Sequence, residues 1–112
     1  MKPIVKIDIL GKVYPVEATF DFLSEVEDCT SVGLIRLLIH KEDMKLVQIK
    51  AILTLIVKGN IEDDILKNFI LKNFTYATNK IIEILEIGFL NPNPRAKVMT
   101  DIQTADETKK KN

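Results

Sequence analysis

Between positions 46 and 57 the chain reads Leu-Val-Gln-Ile-Lys-Ala-Ile-Leu-Thr-Leu-Ile-Val, which is apolar on nearly every side of a helix. Lys50, Thr54 and, one turn further, Lys58 recur at four-residue spacing as its narrow polar stripe. A helix of this kind is stable only when other elements surround it, so the rest of the chain must supply the cover. Val47, Ile49 and Ala51 also alternate as in a strand. The length of the run and its polar stripe favour a helix, with Gly59-Asn60 as the stop.

The cover is legible on both sides. Ile4 to Leu10 and Val13 to Ala18 are β-rich runs with partial alternation, joined at Gly11-Lys12, and together they predict a β-hairpin over 3–18. Pro15 cannot donate to a ladder, so its strand is expected at a sheet edge or with Pro15 facing away from its partner. A two-stranded hairpin is marginal alone, so its apolar face must be covered by later elements of the chain. Thr19 or Asp21 can cap a helix to about Asp28 that shows Phe22, Leu23 and Val26 on one face, with Glu25, Glu27 and Asp28 facing elsewhere. A second helix is expected from Val32 to about Lys41, interrupted in its apolar stripe by Arg36.

Downstream of the central helix, Glu62-Asp63-Asp64 suit the positive end of a fourth helix carrying Ile65, Leu66, Phe69 and Ile70. Asn73 is expected to break it. A last helix from about Thr75 then presents Ala77, Ile81, Ile84, Leu85 and Gly88 on one side and ends before Asn91-Pro92-Asn93-Pro94. The fold expected is α+β: an N-terminal hairpin beside a bundle of about five helices within 19–90, forming a single domain over 1–92. Residues 93–112, without aromatics and closing in three lysines, read as a flexible polar tail.

At 112 residues and 46% hydrophobic content the chain can build one core without metal or disulfide support. Sixteen basic residues balance sixteen acidic ones, so no overall field draws phosphate backbones or an anionic membrane, and nucleic acid is a poor fit. The lone Cys29 excludes an internal disulfide and suits a reducing compartment, hence an expected cytoplasmic location. Lys6 and Asp8 break the apolar start, unlike a secretory leader, and the densest apolar run is too short to span a bilayer.

Candidate chemistry is sparse. His40 is the only histidine, which leaves no Cys/His cluster for zinc and a single possible nucleophile pair, Cys29 with His40, for which no orienting third group is evident. Glu25, Glu27 and Asp28, or Glu62, Asp63 and Asp64, place oxygens close in sequence, but neither set has calcium-loop spacing, and adjacent carboxylates on a helix diverge. Gly11, Gly33, Gly59 and Gly88 are isolated, so no phosphate-cradling loop is present. No catalytic residue, metal or cofactor is expected, and the chain reads as a non-enzyme. What remains is apolar helix surface, and Leu34, Leu37, Leu38, Ile81, Ile82, Leu85 and Phe89 are the residues expected to meet a protein partner.

The order of features carries a resemblance. Gly11-Lys12-Val13-Tyr14 in the hairpin is followed by Ala18-Thr19-Phe20-Asp21-Phe22-Leu23-Ser24-Glu25-Val26-Glu27 and then by Gly33-Leu34 opening a helix. This resembles the gene-transfer-agent tail protein family, whose members tend to show a Gly-x-x-Tyr hairpin, a Leu-x-x-Glu-like helix ending in Glu and a Gly-Leu helix start. The later stretch, with Asp43, the apolar helix to Val57-Lys58-Gly59, the acidic 62–64 and the closing helix to Leu90, is similar too, so the likeness covers roughly residues 5–90. Its motifs are short and built of common residues. Members are described both as tail-tube components and as tail-assembly chaperones. The resemblance implies a chaperone that coats an apolar tape-measure protein and recruits tail-tube subunits during phage or gene-transfer-agent tail assembly. A structural tail-tube or tail-completion component, self-association, and a small regulatory domain that binds protein or nucleic acid are the rival expectations.

Overall fold

A computed structural model describes residues 4–90. Strands β1 (Ile4–Ile9) and β2 (Lys12–Glu17) form the antiparallel hairpin, and five helices complete the described chain: α1 (Phe20–Thr30), α2 (Leu34–Ile39), α3 (Leu46–Val57), α4 (Asp63–Lys72) and α5 (Phe74–Leu90). A short 3-10 turn, Lys41–Asp43, separates α2 from α3. The architecture is α+β. The segment read as a tail, 93–112, lies outside the described residues.

The hairpin alternates cleanly. Val5, Ile7 and Ile9 of β1 and Tyr14 and Val16 of β2 point into the core, while Lys6, Asp8, Pro15 and Glu17 face outward. Ile9 pairs with Lys12, so the turn residues are Leu10 and Gly11 rather than Gly11 and Lys12. Both take positive φ, 56° and 86°, the backbone of a two-residue turn that matches the right-handed twist of the strands. Asp8 Oδ1 accepts the Gly11 N–H at 2.9 Å and closes the turn. Pro15 stands opposite Lys6. The described sheet holds these two strands alone, so each has an open edge. On β1 part of that edge is met from α5, where the Tyr76 hydroxyl accepts the Asp8 N–H at 2.9 Å.

Thr19 caps α1, its Oγ1 accepting the Phe22 N–H at 3.2 Å, and the helix runs two residues beyond the expected Asp28 before Ser31 ends it in the left-handed region. The second helix is shorter than its apolar run suggests: α2 spans Leu34–Ile39 and gives way at His40 to the 3-10 turn. Its start has no side-chain cap of its own, and Glu27 of α1 supplies one by accepting the Leu34 N–H at 2.9 Å. At the start of α3 the Gln48 side chain accepts the Lys45 N–H at 2.8 Å. Asn73 interrupts the chain between α4 and α5, its side chain donating to the Phe69 carbonyl at 3.1 Å.

As its composition demands, α3 lies inside the bundle, touching α1, α4, α5 and β2. α5 packs on β1 and on every other helix. Ile49, Ile52, Leu53 and Val57 of α3 meet Ala77, Ile81, Ile84 and Leu85 of α5 within one continuous core that also holds Ile7, Val26 and Leu66.

Candidate interaction surface

The seven residues expected to meet a partner separate by depth. Ile81 and Leu85 are fully buried, and Leu34 and Leu37 are also core residues, so these four present no surface and are corrected here from contact residues to packing residues. The reason is geometric. Both stripes face α5 or its neighbours, and a helix bundle hides its continuous apolar stripes first. Leu38 and Ile82 are partly buried against the core, and Phe89 is exposed. The exposed apolar residues of α2 are instead Ile35 and Ile39, one turn apart and beside the exposed Arg36.

The two residues of the conceivable nucleophile pair stand apart in their bonding. Cys29 Sγ donates to the Val26 carbonyl at 3.4 Å, and no hydrogen bond among the described residues links it to His40, which caps the end of α2. Partial burial pushes the Cys29 thiol above its ordinary value; a backbone hydrogen bond opposes the shift, and the charges of Asp28 and Glu25 add to it. The thiolate is disfavoured there. Among the described residues no group of acidic, histidine or cysteine side chains is arranged to hold a metal ion. Glu27 is the α2 cap, and Asp63 is engaged by two lysines.

Four surface depressions differ in character. One of about 500 Å³ between the hairpin, α1 and α3 is walled in part by Glu17, Thr19, Asp21, Glu25 and Lys58. Another, about 310 Å³, gathers Arg36, His40, Asp43, Lys45 and Gln48. A third, at the hairpin tip, is lined by Asp8, Leu10, Phe69, Asn73 and Tyr76. The fourth, about 250 Å³, is almost wholly apolar and lies between α3 and α4, lined by Leu46, Val47 and Lys50 on one side and Lys67, Ile70 and Leu71 on the other.

This groove arises from how the helices pair. The start of α3 lies against the end of α4, an antiparallel arrangement in which Asp63 reaches both Lys50 across the pair and Lys67 one turn along its own helix, the latter at 3.0 Å. Two hydrogen bonds, from Lys50 first and Lys67 second, hold the Asp63 carboxyl below its ordinary range, and Asp63 in turn raises Lys67. Beyond that ionic clasp the polar stripes stop. On α3, the stripe Lys50, Thr54, Lys58 continued one turn back falls on Leu46, with Val47 beside it, and on α4 the stripe Asp63, Lys67 continued one turn forward falls on Leu71. Leu46 is 49% exposed, Val47 72% and Leu71 65%, so large aliphatic side chains stand at the surface where the two polar stripes run out. The signal was present in the sequence as the apolar ends of two polar stripes, and treating α3 as buried throughout hid it.

Among the described residues no helix is long and apolar enough to cross a membrane. Comparison with protein-family models, with curated proteins and with solved structures finds no match to this chain, so the reading of its surface rests on its own residues.

Proposed function

We propose that this protein is a non-enzymatic assembly factor of the tail-assembly chaperone kind, binding an apolar helical segment of a tape-measure protein along the α3/α4 groove. The observation that carries the reading is the groove itself: Leu46, Val47, Ile70 and Leu71 leave a continuous apolar channel at the surface, with Lys50 and Lys67 on its walls. Helix-in-groove recognition needs this combination, an apolar floor for anchors spaced at three and four residues and a charged rim that sets orientation. The resemblance of the sequence to the gene-transfer-agent tail protein family adds the partner class. A tape-measure protein is long and apolar, and its segments need cover until tail-tube subunits surround them.

The test is co-expression with a tape-measure fragment, followed by size-exclusion chromatography with light scattering on the free protein and on the mixture. A soluble complex carrying several copies per fragment is expected, and Val47→Asp or Leu71→Asp should abolish it. A free protein that assembles into rings or tubes and ignores the fragment would overturn the reading in favour of a structural tail component.

A further inference from the structure

We propose that two copies of this chain pair through their β1 edges, antiparallel and about a two-fold axis at Ile7, to form one four-stranded sheet. The pairing goes beyond the proposed function and uses none of the residues of the α3/α4 groove. Its first support is the phase of the hairpin's hydrogen bonds. The Asp8 N–H leaves the sheet for the Tyr76 hydroxyl, and the Glu17 carbonyl leaves it for the Thr19 N–H, both at 2.9 Å. Bonded and non-bonded pairs alternate along an antiparallel ladder, so Lys6 and Asp8 of β1, and Val13, Pro15 and Glu17 of β2, turn their backbone groups outward. The β2 edge is a poor template for a further strand. Pro15 stands in the middle of it with no N–H to give, and the Glu17 carbonyl is taken. On β1 the Lys6 N–H and carbonyl meet no partner among the described residues, and the Asp8 N–H is held by a side chain that is itself 37% exposed.

The occupant follows from the outward side chains. Lys6 and Asp8 are neighbours on this edge, with the exposed Ile4 before them and the exposed Leu10 after. A symmetric pairing that matches outward-facing backbone groups can centre on Val5, Lys6 or Ile7. Centring on Lys6 sets lysine against lysine, and centring on Val5 leaves Asp8 past the end of the facing strand. Centring on Ile7 sets Lys6 against Asp8 of the other copy, twice over by symmetry. Each such pair exchanges two backbone hydrogen bonds and joins opposite charges, and Ile4 comes beside Leu10 of the other copy. One strand thus carries both halves of its own complement, and the occupant that fits it is a second copy of itself. The pairing uses up both β1 edges and leaves the two Pro15-bearing edges outside, so assembly by strand addition stops at two copies.

Tyr76 is the competitor within the chain. Its hydroxyl stands where the Lys6 carbonyl of a second copy would accept, so pairing exchanges one acceptor for another at the Asp8 N–H.

Sedimentation equilibrium on the full-length chain over a wide concentration range tests the pairing, together with isotope-filtered nuclear magnetic resonance on a mixture of labelled and unlabelled protein. A reversible monomer–dimer equilibrium is expected, with an intermolecular contact between the two Ile7 Hα atoms, which face each other at a non-bonded pair. Tyr76→Phe removes the competing acceptor and should tighten the dimer about 2- to 10-fold. Lys6→Glu sets like charges against each other and should weaken it about 10-fold. An equimolar mixture of Lys6→Glu with Asp8→Lys should restore dimers, because each charge then meets its opposite. Asp8 also closes the hairpin turn, so if Asp8→Lys fails to fold, Lys6→Glu and Tyr76→Phe decide the matter alone. A chain that stays monomeric at every concentration overturns the proposal, as does a dimer that lacks the Ile7 contact or ignores Lys6→Glu. A dimer abolished by Val47→Asp overturns it too, because the α3/α4 groove is then the interface. A tape-measure fragment that fails to bind sinks the functional reading alone and leaves the β1 pairing standing.

Discussion

Two positions hold backbone or packing arrangements that their side chains work against. Leu10 occupies the first central position of the hairpin turn at φ 56°, where a residue with a branched side chain costs about 1–2 kcal/mol relative to one at ease in the left-handed region. Leu10→Asn should therefore stabilise the fold by about 1 kcal/mol, measured as a higher urea midpoint with an unchanged slope. A lower midpoint would mean that the contacts of Leu10 in the depression shared with Phe69 and Tyr76 outweigh the strain. Gly88 is the converse. A Cβ there would stand 2.8 Å from Ala18 Cβ and 3.0 Å from the Ala18 carbonyl oxygen, so α5 approaches the end of the hairpin more closely than any other residue permits. Gly88→Ala gains about 1 kcal/mol of helix propensity but forces backbone apart at a cost of about 1–3 kcal/mol, and a net loss of stability is the expected outcome of the same titration. The left-handed turn at Leu10 was not legible in sequence, because Leu is a poor marker for such a conformation; the role of Gly88 was half legible, as a small residue on the inward face of the last helix.

At the scale of elements, hydrophobic periodicity located every helix and both strands, whereas caps and boundaries depended on neighbours. Thr19 was readable as a cap because the bond it makes is local. Glu27 was not, because it caps α2 from α1 through the fold's own turn. The α3/α4 pair is joined by an exposed ionic clasp whose pH dependence has a definite sign. The Asp63 carboxyl is depressed in the folded state, so its contribution is present above the ordinary carboxylate range and is lost as pH falls through the lowered value. Lys67 is raised, so its share persists below the ordinary lysine value and is lost as pH climbs through the raised one. Asp63→Asn should lower the denaturation midpoint slightly between about pH 4 and pH 10, with the two proteins converging in acid. A difference that persists unchanged in acid would assign the effect to something other than the clasp.

For the whole molecule, the contrast between core and groove gives the sharpest prediction. Leu85→Ala opens a cavity in a fully buried site and should cost about 2–5 kcal/mol, whereas Val47→Asp sits at the surface and should leave stability within about 0.5 kcal/mol while removing partner binding. Thermal melts and a binding assay on the two variants check this directly, and equal losses of stability would show that the groove is part of the core. The α+β architecture, the central place of α3 and the inward faces of the hairpin and α5 were determined by the sequence alone. Period-two and period-3.6 patterns state which side of an element must leave water, and they do so without reference to any other element. Which apolar residues stay outside was decided by tertiary structure. Leu34, Leu37, Ile81 and Leu85 look as available for a partner as Val47 and Leu71 do, and only the pairing of helices settles the matter. Core capacity is a property of the packed bundle: α5 lies close enough to α2 and α3 to cover the first four, while the antiparallel offset of α3 against α4 leaves the last two with no neighbour above them among the described residues.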